Sequence, residues 1–170
     1  FLCDNIKSDA DLSIVSAYFT IYAYSHLKEQ LNEIKQLRFL FGEPTFIKSL
    51  DPSKVNKRDF KIEDDKIVIP INTRLSQKSI ARECSQWIED KVEIKSMVKP
   101  NFLHGKLYLI ENTNGVTEAS MGSSNFTVNG LGLGGSPNIE LNIVIQDRRD
   151  LHDLKIWFNE LWNDETGLVE

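Results

Sequence analysis

The chain has little cysteine: of its 170 residues only Cys3 and Cys84 carry thiols. Two cysteines so far apart build neither a disulfide framework nor a cysteine metal cage, and both read as reduced. No stretch approaches the roughly 20 apolar residues that a membrane span requires, so no spanning helix and no membrane partner are expected. The opening Phe1-Leu2-Cys3-Asp4-Asn5 lacks both the basic start and the apolar centre of a secretion signal. The Asn125-Phe126-Thr127 sequon is therefore without meaning, and a cytoplasmic protein is expected. A starting methionine is also missing. The chain reads as one domain, residues 1–170, cut from a longer protein. An excess of positive charge is lacking too. A net charge of −5 argues against a surface that coats nucleic acid indiscriminately.

What remains is ordinary globular material, 41% hydrophobic and 26% charged, long enough to bury a proper core. One local basic stretch stands out: Lys48, Lys54, Lys57, Arg58 and Lys61 against Asp51 and Asp59. It reads as a solvated loop or, for a nucleic-acid substrate, as the first place to seek backbone contacts.

Hydrophobic periodicity organises the rest. Asp11 to Phe19 reads as a largely buried strand. Ile21 to Ile34 has helical spacing, with Leu27, Leu31 and Ile34 on one face. Leu37 to Phe41 is a second strand, closed by Gly42 and Pro44, and Lys66 to Ile71 a short third. Ser76 to Asp90 reads as a helix with Ile80, Cys84, Trp87 and Ile88 inward. Strands then crowd together at Val92 to Val98, Phe102 to Ile110, Val116 to Met121 and Ile139 to Gln146, before a closing helix from Leu151 to Trp162. Alternation followed by a run of strands predicts an α/β domain, a mixed β-sheet flanked by helices on both faces.

Three short segments carry chemistry. His104 and Lys106 stand two apart in an expected strand, so both project from one face while Leu103, Leu107 and Leu109 take the other. A wet strand edge would show the same pattern. Gly122-Ser123-Ser124-Asn125 follows a strand and, with Thr127, offers backbone, hydroxyl and amide donors that can cradle a phosphate. An ordinary capped turn fits it equally. In Ile139-Glu140-Leu141-Asn142-Ile143-Val144-Ile145, Glu140 and Asn142 share one face of an otherwise apolar strand. A carboxylate there needs a partner, and a histidine, whose tautomer a carboxylate fixes, suits it. A plain edge-strand glutamate is the alternative.

Together these segments resemble the phospholipase D superfamily, whose signature is H-x-K-x-x-x-x-D followed by G-S-x-N. Here the first half reads His104-Gly105-Lys106-Leu107-Tyr108-Leu109-Ile110-Glu111 and the second Gly122-Ser123-Ser124-Asn125, with Glu111 where the family has Asp. That Asp is mostly structural in the family. The resemblance implies a phospholipase D-like half and a metal-independent phosphodiesterase that needs no cofactor. His104 would be the nucleophile that forms a phosphohistidine, and Lys106 and Asn125 would hold the phosphate oxygens. Ser123 and Ser124 would assist, and Glu140 would orient a histidine. A second histidine would serve as acid and base. Of the three histidines only His104 stands in such a motif; His26 and His152 read as surface residues. A homodimer with the site astride its two-fold axis is thus implied. Leu12-Ser13-Ile14-Val15-Ser16-Ala17-Tyr18-Phe19 and Trp157-Phe158-Asn159-Glu160-Leu161-Trp162 are also similar to the ends of phospholipase D-like domains that precede helicase motors in bacterial DNA-processing proteins. DNA, a second copy and a downstream helicase domain are the partners this implies.

Gly130-Leu131-Gly132-Leu133-Gly134-Gly135 is a literal G-x-G-x-x-G. Ser136, Pro137 and a strand follow it, not the helix a dinucleotide fingerprint needs. It reads instead as a loop beside the site, mobile enough to admit substrate backbone. Phe126 could stack on a base or sit in the core. Two rivals to the nuclease reading stand. A lipid or phosphatidyl-transfer enzyme would use the same chemistry, usually with two signatures in a longer chain. A catalytically silent docking or dimerisation module of a helicase or restriction protein would keep the fold alone.

Overall fold

The computed structural model describes the backbone of residues 1–42 and 71–170 and the side chains of 1–42 and 77–170. The basic stretch Lys48 to Lys61 lies outside the described residues. So does the expected strand Lys66 to Ile71, except that Ile71 itself opens a helix.

A short helix α1 (Leu2–Asn5) leads into β1 (Asp11–Ser16), α2 (Ile21–Glu33), β2 (Gln36–Phe41), α3 (Ile71–Lys91) and β3 (Val92–Ser96). Three further strands, β4 (Lys106–Glu111), β5 (Thr117–Gly122) and β6 (Asn142–Ile145), precede the closing helix α4 (Arg148–Trp162). They form one six-stranded sheet in the order β3-β2-β1-β4-β5-β6. β1, β2 and β3 run parallel, as strands joined through helices do. β4 runs antiparallel to β1, and β5 and β6 continue antiparallel. The expected α/β class and mixed sheet are what the chain adopts.

Both faces of the sheet are covered. On one, Leu12, Ile14, Leu37, Phe39, Tyr108 and Ile110 pack against Leu27 and Leu31 of α2 and Cys84 and Trp87 of α3. Thr20 caps α2, its hydroxyl accepting from the Ala23 amide at 3.3 Å, and the Trp87 indole donates to the Leu31 carbonyl at 2.9 Å. On the other, Val15, Leu40, Leu107, Leu109 and Ala119 meet Leu151, Phe158 and Trp162 of α4. Arg38 on β2 is satisfied beneath α4. It donates to Asn159 Oδ1 and Ser13 Oγ at 2.7 and 2.9 Å and lies 4.9 Å over the Phe158 ring. Leu107 and Leu109 are buried on one face as expected, and Tyr108 and Ile110 are buried on the other, so β4 is covered on both sides beyond Lys106.

The sheet ends differ. At the β3 end the chain after α4 returns, and Ser96 exchanges two backbone hydrogen bonds with Glu170 at 2.8 and 2.9 Å. At the other end, among the described residues, β6 pairs only with β5. Here the apolar side of the expected strand Ile139 to Gln146 is exposed from Ile139 to Ile143, and Ile145 packs against the core. Leu141 is 78% and Ile143 62% exposed, and Met121 beside Ile143 is exposed as well. Strands of monomers rarely leave such a row uncovered.

Candidate active site

The register assembles the segments. Lys106, first residue of β4, lies opposite Gly122, last residue of β5, and Gly122 lies opposite Asn142 on β6. The start of one signature half and the end of the other therefore share one end of the sheet, and Glu140 enters the same end just before β6.

His104 is exposed and stands outside the strand expected from Phe102 to Ile110. The reason is pairing. β5 ends opposite Lys106, and β1 last pairs at Val15 with Leu107, so the backbone at 104 and 105 has no ladder to join. Asn101, at φ 56°, turns the chain into this approach. His104 Nε2 lies 3.0 Å from the Asn101 carbonyl oxygen, and the Lys106 ammonium donates to the His104 carbonyl at 2.8 Å.

The phosphate-cradle candidate is pinned from three sides. Asn125 Oδ1 accepts from the Ala17 amide at 3.0 Å and from Ser16 Oγ at 3.2 Å, which ties the turn to the end of the central strand. The Tyr108 hydroxyl donates to the Ser124 carbonyl at 2.8 Å, and Asn142 Nδ2 donates to Ser124 Oγ at 2.8 Å. Ser124 is thus buried with its hydroxyl and carbonyl engaged inside the fold, and its amide donates to Asn142 Oδ1 at 3.4 Å. Ser123 remains exposed, its hydroxyl bonded to the Glu140 carboxylate. Asn138 Nδ2 donates to the other Glu140 oxygen at 3.1 Å. Within one chain, then, Glu140 is held by Ser123 and Asn138 and makes no hydrogen bond to an imidazole. Burial raises the Tyr108 hydroxyl above its ordinary pKa, with the negative charge of Glu140 adding to the effect. That phenol stays a protonated donor.

Close backbone approach shapes the turn. A Cβ on Gly122 would collide with the Leu141 carbonyl, and one on Gly130 would come within 2.5 Å of the Asn125 carbonyl oxygen. Gly130, first glycine of the rejected G-x-G-x-x-G, is buried beneath the turn; no helix follows it. Phe126 is fully buried, stacked on Phe19 at 5.2 Å, which makes it core. Sequence reading missed Ser16, Asn142 and Tyr108 as supports.

His26 and His152 are exposed on α2 and α4. Glu111, in the Asp position, sits at the far end of β4 and is ion-paired with Lys155 of α4. Cavities of about 610, 440 and 230 Å³ lie, respectively, beside Arg148 and His152, between α2 and α3, and behind Ser124. None of the three is lined by His104 or Lys106. Their residues stand on an open rim. Among the described residues no group of three or more His, Cys, Asp or Glu is placed to hold a metal ion, and no helix is long and apolar enough to cross a membrane.

A histidine, a lysine and an asparagine-bearing turn thus share one end of this mixed sheet. A family model described as "cardiolipin synthase, PLD-like domain" matches residues 2–162, and the chain belongs to this phospholipase D-like family. No curated protein gives a significant match.

Proposed function

We propose that this chain is a metal-independent nuclease whose active site is completed by a second copy of itself. His104 attacks phosphorus and becomes a phosphohistidine as the leaving oxygen departs, taking its proton from a second histidine. That second imidazole then takes a proton from water, which attacks the phosphohistidine and frees His104. Lys106 and Asn125 hold the non-bridging oxygens and offset the charge that builds on them, with Ser123 assisting. Glu140, at the same sheet end, is available to orient an imidazole.

The observation that carries the reading is the register Lys106–Gly122–Asn142, which brings both signature halves and Glu140 to one sheet end. Two observations support a second copy. His104 is the sole histidine at this end, and the exposed Met121, Leu141 and Ile143 flank it. Nucleic acid as substrate, DNA above RNA, rests on the likeness of both chain ends to helicase-associated domains. The cytoplasm, the longer parent chain and its downstream motor belong to the same proposal. The family description names a lipid enzyme, and the apolar rim favours a lipid substrate as the second reading.

The test offers single-stranded DNA, duplex DNA, RNA and phosphatidylglycerol vesicles to the protein in excess chelator. Cleavage of a nucleic acid, with an acid-labile protein phosphate absent from His104→Ala, supports the proposal. Turnover of vesicles alone moves the substrate to lipid. No turnover and no trapped phosphate leave a docking module.

A further inference from the structure

Ser16 ends the central strand β1 and is fully buried, far from His104 in sequence. Its hydroxyl is unusually occupied. It accepts from the Phe126 amide at 2.9 Å, and its single proton is shared between the Tyr18 carbonyl at 2.8 Å and Asn125 Oδ1 at 3.2 Å. Beside it the Ala17 amide reaches the same Asn125 atom at 3.0 Å. A backbone N–H only donates, so the Asn125 atom facing β1 must be the carbonyl oxygen. The Nδ2 group is then turned away from β1, and it makes no hydrogen bond within the described residues. A phosphate oxygen accepts and never donates when ionised, so only this orientation of the amide can bind one. An Asn125 flipped end for end would offer the phosphate a lone pair and repel it.

We propose that Ser16 is a positioning residue of the phosphate pocket: it clips Asn125 and Phe126 to the end of β1 and so keeps the Asn125 amide N–H groups directed at the substrate. The inference rests on the phosphodiesterase reading above. Ser16 touches neither substrate nor reacting atoms; it acts through Asn125. Its size matters as well, because the site between β1 and the turn leaves the side chain no exposed surface.

The test compares Ser16→Cys, whose somewhat larger thiol hydrogen-bonds weakly, and Ser16→Ala with the native protein, alone and in an Asn125→Ala background. Both variants should lower kcat about 10- to 100-fold with KM little changed, since misplacement of one oxyanion donor has that scale. In the Asn125→Ala background the further loss should vanish. An equal loss in both backgrounds, or a native kcat in Ser16→Cys, overturns the proposal. A second readout needs no turnover: the Asn125 side-chain amide resonances, followed with inorganic phosphate as the probe. They should shift in the native protein and respond weakly in Ser16→Cys; a native protein whose Asn125 amide ignores phosphate also overturns it. His104→Ala in the same assays separates the two ideas. If it retains the native rate, the phosphodiesterase reading fails. If it is inactive while Ser16→Cys matches the native protein, only the role of Ser16 falls.

Discussion

Glu111 and Lys155 form an ion pair that joins the last residue of β4 to α4. Five residues of extended chain separate Glu111 from Lys106, roughly 16 Å. Glu111 therefore cannot reach a phosphate held at the other end, and its departure from the family aspartate concerns the packing of a helix on a sheet. Glu111→Gln is expected to leave kcat within about threefold and to cost on the order of 0–1 kcal/mol, since the pair is partly solvated. Turnover together with a chemical denaturation curve checks both halves. A hundredfold loss of rate without unfolding would return Glu111 to the chemistry.

His104 is exposed and packs against nothing in the core. His104→Ala should fold with stability changed by no more than about 0.5 kcal/mol while losing activity by about 10³-fold or more. Thermal unfolding beside turnover in chelator gives the comparison.

The uncovered row beside the turn supplies a test of assembly. Leu141→Asp or Ile143→Asp should turn a dimer into a monomer, seen by sedimentation velocity, and should cost about 100-fold in rate with the melting temperature of the protomer preserved. A variant that stays dimeric and fully active would move the contact to another surface.

The two thiols should differ sharply. Burial pushes the Cys84 thiol up to about 12, whereas Cys3 is exposed. A disulfide reagent at pH 8 should modify Cys3 quickly and Cys84 only on unfolding. The sign follows from linkage: the folded chain holds the Cys84 proton more tightly than the unfolded one. That stabilisation is full below about pH 8.5 and is lost as pH rises toward the folded value. The alkaline limb of a stability profile should flatten in Cys84→Ala.

Asp164 sets the acid side of the tail that runs along β3. The Thr166 hydroxyl, first, and the Leu168 amide donate to its carboxylate at 2.7 and 2.8 Å and hold its pKa below the ordinary value. A depressed carboxyl stabilises above the ordinary range, near about pH 4, and that contribution fades as pH falls through the lower folded value. Amide exchange at Leu168 and Glu170 should accelerate in that window, and Asp164→Asn should remove the dependence.

Much of the architecture was legible because period and burial agree where a strand has neighbours on both sides. Leu107 and Leu109 alternate inward on β4, and Leu27 and Leu31 recur on α2, as their spacing predicts. Legibility failed where neighbours run out. His104 looked like strand because its flanks alternate, yet β1 and β5 both stop short of it. Ile139, Leu141 and Ile143 read as the apolar side of a strand, and an apolar row does not tell a covered face from an open edge. The candidate residues stand out by their signature, but the residues that hold them in place do not. Asn125 meets Ser16 across 109 positions of sequence, and no local pattern encodes such a meeting.

That long reach has a consequence for synthesis. β1 emerges first, yet it pairs with β4 near residue 106 and is clipped by a turn near residue 125, and β6 arrives only at 142–145. A growing chain thus displays its histidine well before the scaffold behind it exists, and closing so wide a loop is slow. The sheet end that carries Lys106, Gly122 and Asn142 can therefore assemble only once the chain through residue 145 has left the ribosome.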